Sequence, residues 1–267
     1  MRNEKLFQEI KNFYNTYPYP NQKIVLKSDL FHPKHDFIMR KILNAANLKK
    51  ANLSGLSVLD AGCGTGEKSL YLAFFKANVD AFDFSASSIK IARKNAQKLK
   101  AKVNYFVSSF ESFRTKKKYH LILCIGSLHH SLDAKGNFLK LSSFLKRDGI
   151  IVLGLYNSPG RFFLSLQRFL LKFFFKTPQK IVNFLVHFFR PKTKTALVLL
   201  ADKYATPFES YHSIEEILEW FKEADLKPIK VYPQIDFNNK ILLKLVQIYW
   251  LFSSKSFFFI SGKKTKD

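Results

Sequence analysis

Residues 58–66 read VLDAGCGTG: an apolar run closing on Asp60, then a turn with glycines at 62, 64 and 66. Glycine lets a backbone turn sharply, lets a ligand approach without meeting a Cβ, and lets the following helix pack close to the strand. The apolar SLYLAFF that follows predicts that helix. A dinucleotide-binding turn obeys the same glycine logic, so the flanks decide. Asp60 precedes the glycines, where an acid accepts a hydrogen bond and faces a cationic ligand end; a pyrophosphate would be repelled there.

A second acid, Asp83 in NVDAFDFS, closes the next predicted strand roughly 20 residues downstream, the place from which an acid grips ribose hydroxyls. The pair provides for both ends of an adenosyl sulfonium ligand. Around it the pattern alternates: a helix over about 34–48, strand SVLDA, helix 67–76, strand VDAFDF, helix 86–99, strand VNYFV, then strands HLILCIG and IIVLGLYN. Such alternation builds a parallel sheet with helices on both faces, and ligands sit beyond the carboxyl ends of its strands. Further on, Ile214, Ile217, Leu218 and Phe221 share one helix face, with Ser213 and Glu216 spaced as a capping box; PIKVYP and SFFFISG supply a sixth strand and an antiparallel seventh.

From about Val58 to Asn157 the chain resembles the class I S-adenosylmethionine-dependent methyltransferases, in VLDAGCGTG with its downstream acid, in NYFVSSFESF, and in YHLILCIGSLHHSLDAKGNFLKLSSFLKRDGIIVLGLYN. The resemblance implies a seven-stranded Rossmann-like α/β sheet, six strands parallel and the last antiparallel, and S-adenosylmethionine as cofactor. It places Asp60, Gly62, Cys63, Gly64 and Gly66 along the methionine part, Asp83 on the ribose and Phe84 on the adenine, with Thr65, Phe110 and Ile125 in the same cofactor-binding set. Ser109 stands where the family commonly has an acid for the adenine amino group, and its hydroxyl can accept that bond. His120 stands where a carboxylate usually follows the aromatic residue of strand four. FYNTYPYPN resembles a segment that closes the cofactor site in a subset of bacterial methyltransferases, which points to Tyr14, Tyr17 and Tyr19; packing as a hydrophobic staple is the alternative.

At 267 residues and 47% hydrophobic content the chain can bury the core of one domain with an insertion. Its expected parts are a helical cap (1–50), a cofactor core (51–157), an insertion (158–204) and the completion of the same sheet (205–267). Two cysteines, Cys63 and Cys124, exclude a disulfide framework and a cysteine-rich zinc site, and no metal is expected. The first residues lack the apolar run of a secretory signal, and ILLKLVQIYWLFSSKSFFFI is interrupted by Lys244, Gln247 and Lys255, so a cytoplasmic setting is expected, peripheral to the inner membrane face if the insertion meets lipid. The formal charge of +24 attracts anionic partners such as RNA or acidic headgroups. Abundant Lys, Asn and Phe equally fit an A- and T-biased genome, which raises charge without selecting a partner.

The insertion holds no acid before Asp202. In RFFLSLQRFLLKFFFK the residues Arg161, Ser165, Arg168, Lys172 and Lys176 form one helical stripe; in QKIVNFLVHFFRPK so do Lys180, Asn183, His187 and Arg190, and Thr177-Pro178 separates the two. Two amphipathic helices are expected, as a lid with its apolar side over the site, as an interfacial pair on an anionic bilayer, or as an RNA grip. The phenylalanines favour apolar burial.

Methyl transfer is an in-line displacement in which the enzyme aligns and desolvates the acceptor. A base is needed only where the acceptor loses a proton, and His130, just past strand four, is the candidate, against a structural histidine. Tyr17, His32, Tyr156, Asp202 and Tyr204 are the residues expected on the substrate side. The expectation is a methyltransferase for a small or lipid-like acceptor. An RNA or tRNA methyltransferase, or a non-catalytic adenosyl-binding or membrane-docked protein, are the alternatives.

Overall fold

The computed structural model describes residues 2–48, 53–237, 239–253 and 256–265. The expected boundary at residue 50 and the predicted interruption at Lys255 lie outside them. Strands β1 (Ser57–Ala61), β2 (Asn78–Asp83), β3 (Val103–Val107), β4 (Tyr119–Ile125), β5 (Leu145–Tyr156), β6 (Leu226–Tyr232) and β7 (Phe257–Lys264) form one sheet in the order β3-β2-β1-β4-β5-β7-β6. Neighbours β1 to β5 pair in parallel, and β7 runs antiparallel to both β5 and β6, as expected. β5 begins earlier than the apolar run IIVLGLYN suggests, because Leu145 pairs with Tyr119 across a register shift.

The central strands are buried along both faces, β1 at every position. One apolar layer packs Phe138, Phe221, Trp220 and Trp250 against the sheet; the other packs Met39, Ile42, Leu70 and Tyr71 from α2 (Pro33–Ala45) and α3 (Glu67–Phe74). A smaller third cluster lies off the sheet, where Ile10, Phe13 and Tyr14 of α1 (Arg2–Thr16) meet Ile181, Val182 and Leu185.

Helices start where the sequence offers an oxygen for the free backbone donors of a first turn, each such cap contributing about 1 kcal/mol. Ser85 caps α4 (Ala86–Lys98) and Asp133 caps α5 (Ala134–Ser143). Asn157 and Thr177, each followed by a proline in the first turn, cap α6 (Ser158–Phe174) and α7 (Pro178–Phe189). Thr193 caps α8 (Lys194–Ala205), a third insertion helix that the two-stripe reading missed because its apolar residues do not segregate to one side. Ser213 caps α9 (Ile214–Glu223), but only half of the expected capping box forms: its oxygen accepts from the Glu216 N–H while the Glu216 carboxylate bonds His212 Nδ1 at 3.1 Å. Asn239 caps α10 (Lys240–Phe252). Among the described residues no helix is long and apolar enough to cross a membrane.

Candidate functional site

The sheet order reverses between β1 and β4, and a crevice opens beyond the carboxyl ends of the strands there. It is a cavity of about 740 Å³ including its open mouth. Gly62, Cys63 and Gly64 after β1, Asp83 and Phe84 after β2, Ser109 and Phe110 after β3, and Ile125 closing β4 all face it. His130 does too, together with Phe7, Ile10, Tyr14 and Tyr19 from the N-terminal segment.

The turn is held by two bonds, from the Gly62 and Cys63 N–H groups to the Phe82 carbonyl at 2.8 and 2.9 Å. Gly62 and Gly64 have φ of 70° and 57°, the left-handed region that favours glycine. Space forbids a side chain as well: a Cβ on Gly62 would fall 2.3 Å from Ser127 Cβ, and one on Gly64 2.2 Å from the Tyr19 carbonyl oxygen. The second contact belongs to a strap over residues 19–22 that is laced to the turn. The Thr65 N–H donates to the Tyr19 carbonyl (3.0 Å), Thr65 Oγ1 accepts from the Asn21 N–H (3.0 Å), and Glu67 Oε1 accepts from the Gln22 N–H (3.1 Å).

Asp83 accepts from the Gly64 and Ser85 N–H groups, both at 2.9 Å. Burial nevertheless pushes its carboxyl up to about 6, because those bonds only partly offset the loss of water. Asp60 is fully buried behind the turn and is not part of the cavity wall; Oδ2 accepts from Ser69 at 2.6 Å, and Oδ1 has no hydrogen-bond partner among the described residues. Lys68 was missed by the sequence reading. Burial works to lower its ammonium, yet Asp60 and Glu67, with smaller help from Cys63 and Asp83, hold it above the usual lysine value, so it stays a cation at the cavity wall. Its signal was a lysine in the first turn of α3, where the helix dipole disfavours positive charge.

On the opposite wall His130 donates from Nδ1 to the Phe208 carbonyl at 3.0 Å, since a carbonyl can only accept; that leaves Nε2 with a free lone pair. Burial lowers His130, against the partial opposition of Asp202, whose Oδ1 is 4.0 Å from Nε2. The same Asp202 oxygen accepts from the Tyr14 hydroxyl at 2.7 Å, and the Tyr14 ring lies 5.3 Å from the His130 ring and 5.9 Å from Phe84. His129 is fully buried with both ring nitrogens unbonded and is held neutral by burial, beside His130 and Tyr156.

The other expected residues stand outside the wall. Thr65 and Gly66 serve the turn and the start of α3, where a Cβ on Gly66 would meet Tyr105 and Ala92. Asp202 sits one layer back, behind Tyr14 and His130. Tyr156 packs under the Arg161 guanidinium, 3.2 Å from its ring centroid. Tyr17 donates to Gln179 Oε1 at 2.8 Å, and Tyr204 packs among α1, α7 and α8. His32 does not face the cavity: it is exposed where the chain turns into α2, and the nearby His35 bonds the Leu30 carbonyl.

α6, the first helix of the insertion, runs against the expectation of a lid with its apolar side down. Arg161 and Arg168 are 5% and 4% exposed, ion-paired with the buried Glu209, and Arg168 Nη2 also donates to the Thr206 carbonyl at 2.9 Å. Lys172 reaches the Pro207 carbonyl at 2.9 Å. The polar stripe of α6 therefore faces the protein and its phenylalanines face outward, whereas α7 turns Ile181, Val182 and Leu185, and α8 Val198, Ala201 and Ala205, inward into the cluster with α1.

Residues 52–182 match a methyltransferase domain family. The chain is 26% identical over 162 residues to the ubiquinone biosynthesis O-methyltransferase of Rickettsia prowazekii, covering 61% of this chain and 63% of that one. With the protein of the same name from Rickettsia typhi it is 30% identical over 133 residues, 50% of this chain and 52% of that one. It thus spans from about half to just under two thirds of the curated relatives it matches. The magnesium protoporphyrin IX methyltransferase of Synechocystis, solved with bound S-adenosylmethionine, shares the fold with a TM-score of 0.54 at 14% identity, over 98% of this chain and 92% of that one. A glycine turn after β1, an acid closing β2 and a sheet whose last strand alone is reversed are thereby accounted for together: residues 52–182 of the chain carry a methyltransferase domain.

Proposed function

We propose that this chain transfers the methyl group of S-adenosylmethionine to a hydroxyl oxygen of a small, lipid-like acceptor, working peripherally at an anionic membrane face. The observation that carries the reading is the His130 imidazole, its Nδ1 proton tied to Phe208 and its Nε2 lone pair free, at an apolar wall shared with Tyr14 and Phe84. The name of the curated relatives, an O-methyltransferase of ubiquinone biosynthesis, agrees with an oxygen acceptor.

The residues present fit the cofactor. Asp83 offers a carboxylate to ribose hydroxyls, and Phe84 and Phe110 an apolar slot for adenine. Lys68 is suited to the ligand's carboxylate. When bound, the cofactor supplies an electrophilic methyl on a sulfonium, released to the acceptor as the carbon–sulfur bond breaks with its electron pair going to sulfur. His130 Nε2 takes the proton that the acceptor hydroxyl loses. Tyr14 holds Asp202 beside the imidazole, which stabilises the imidazolium that forms, and the strap with α1 excludes water from that wall. α7 and α8 brace α1 from behind as the acceptor-side cover.

The test is transfer of labelled methyl to a panel comprising a catechol with an apolar tail, the matching amine, the matching carboxylic acid, and total tRNA. Label in the catechol ether is the expected result; label confined to the amine, the acid or the RNA overturns the reading.

Asp83→Ala is expected to weaken S-adenosylmethionine binding by about 1–3 kcal/mol, through lost charge-assisted ribose bonds. Ribose hydroxyls donate to the ionised carboxyl, which exists above a pKa of about 6. Wild-type affinity should therefore rise as pH increases through that value, while the variant's stays flat. Titration calorimetry across this range checks both; an unchanged affinity in the variant removes Asp83 from the site.

A further inference from the structure

The outward sides of α6, α7 and α10 carry more exposed apolar area than the rest of the molecule explains. Phe169, Phe173 and Phe174 of α6 are 66%, 72% and 72% exposed, Phe188 of α7 71%, and Ile241 and Phe252 of α10 74% and 77%. α6 packs against both α10 and α7, so these faces are neighbours on one side of the protein. Large contiguous apolar patches on a soluble surface mark an interaction site.

We infer that this three-helix face docks on the surface of an anionic lipid bilayer, its aromatic and aliphatic side chains entering the headgroup boundary while flanking cations meet lipid phosphates. Charge selects this occupant. From Ser158 to Ala201, and throughout α10, there is no acidic residue. Exposed Lys176, Lys180 and Lys244 lie on these helices or the turn between α6 and α7, Arg190 and Lys192 follow α7 and Lys194 opens α8, and no ion pair to an acid is formed by any of them among the described residues. An apolar face on segments whose own charges are all basic is the pattern of an interfacial helix on anionic lipid. A second copy of this chain would set the same cations against one another, since a two-fold interface presents the same patch from both sides.

The polar stripe that an amphipathic helix ordinarily gives to water is engaged inside, by Glu209 and by the Thr206 and Pro207 carbonyls, so α6 cannot roll its phenylalanines inward without unpairing two buried guanidinium groups. The outward apolar face is thus fixed by the fold. α6 begins two residues after the end of β5, with Asn157 between them, on the cavity side of the sheet, and α7 rests on the α1 residues that line the cavity. Docking there would bring the cavity close to lipid, which deepens the lipid-like acceptor reading, although the surface itself does not depend on it.

Co-sedimentation of the full chain with vesicles of phosphatidylcholine containing roughly 30% phosphatidylglycerol, against phosphatidylcholine alone, tests the inference. Expected is binding to the anionic vesicles that weakens as salt is raised, and a fall of at least about tenfold in the Phe173→Glu, Phe174→Glu, Phe188→Glu triple variant. These side chains touch no core residue cluster, and an unchanged circular dichroism melt and unchanged cofactor binding show that the variant is folded. Absence of wild-type binding, binding that the variant keeps, or a wild-type dimer by light scattering that the variant dissolves would each overturn it. Methyl transfer to a detergent-dispersed catechol is read in the same variant: loss of vesicle binding with transfer intact separates the docking surface from the reaction.

Discussion

Replacement of His130 by Gln should lower kcat for a hydroxyl acceptor by roughly 100- to 10,000-fold, the range for removing a positioned general base, with little change in the affinity for cofactor. The glutamine keeps a donor for the Phe208 carbonyl, so the wall should hold its shape while the proton acceptor is gone. Burial sets the imidazole below its usual value. The base is neutral, and active, above that pKa. The wild-type rate should accordingly rise with pH through a midpoint under about 6.5 and be flat at neutrality. A variant that retains most of its kcat, or a pH profile with no acidic limb, would return His130 to a structural role.

Glu209→Ala is the second large effect. Glu209 is paired with Arg161 and Arg168, all three buried, and truncating the acid leaves two guanidinium groups without their counter-charge. Breaking a buried pair in this way costs about 3–5 kcal/mol. The loss should appear in urea unfolding as a lower midpoint with a broadly unchanged slope. A loss under about 1 kcal/mol, typical of exposed pairs, would mean that water reaches the arginines. Arg161 also lies over Tyr156, so the variant is expected to loosen the end of β5 where the acceptor wall begins.

The sheet was readable because its information is local. Buried parallel strands are continuous apolar runs, and their helices begin at Ser85, Asp133, Asn157, Thr177 and Ser213, residues whose side chains cap by themselves. The glycine turn and Asp83 were legible for the same reason, each defined by position at a strand end. His32 was misplaced because nothing local says which way a loop residue points. The direction of α6 was hidden for a different reason: periodicity shows that a helix has two sides, but which side turns inward depended on Glu209, distant in sequence. Lys68 was passed over because its meaning comes from the carboxylates gathered around it by folding.

The contact between Gly64 and the Tyr19 carbonyl changes what the glycine signature records. A side chain at 64 would strike the protein's own strap before it could obstruct any ligand. Selection on that glycine would therefore persist in a descendant that had abandoned transfer chemistry, as long as its first residues still had to lie across the turn. In this chain the architecture alone accounts for the glycine at 64, and evidence of turnover has to be sought at positions such as His130, where the fold would tolerate a substitute and the reaction would not.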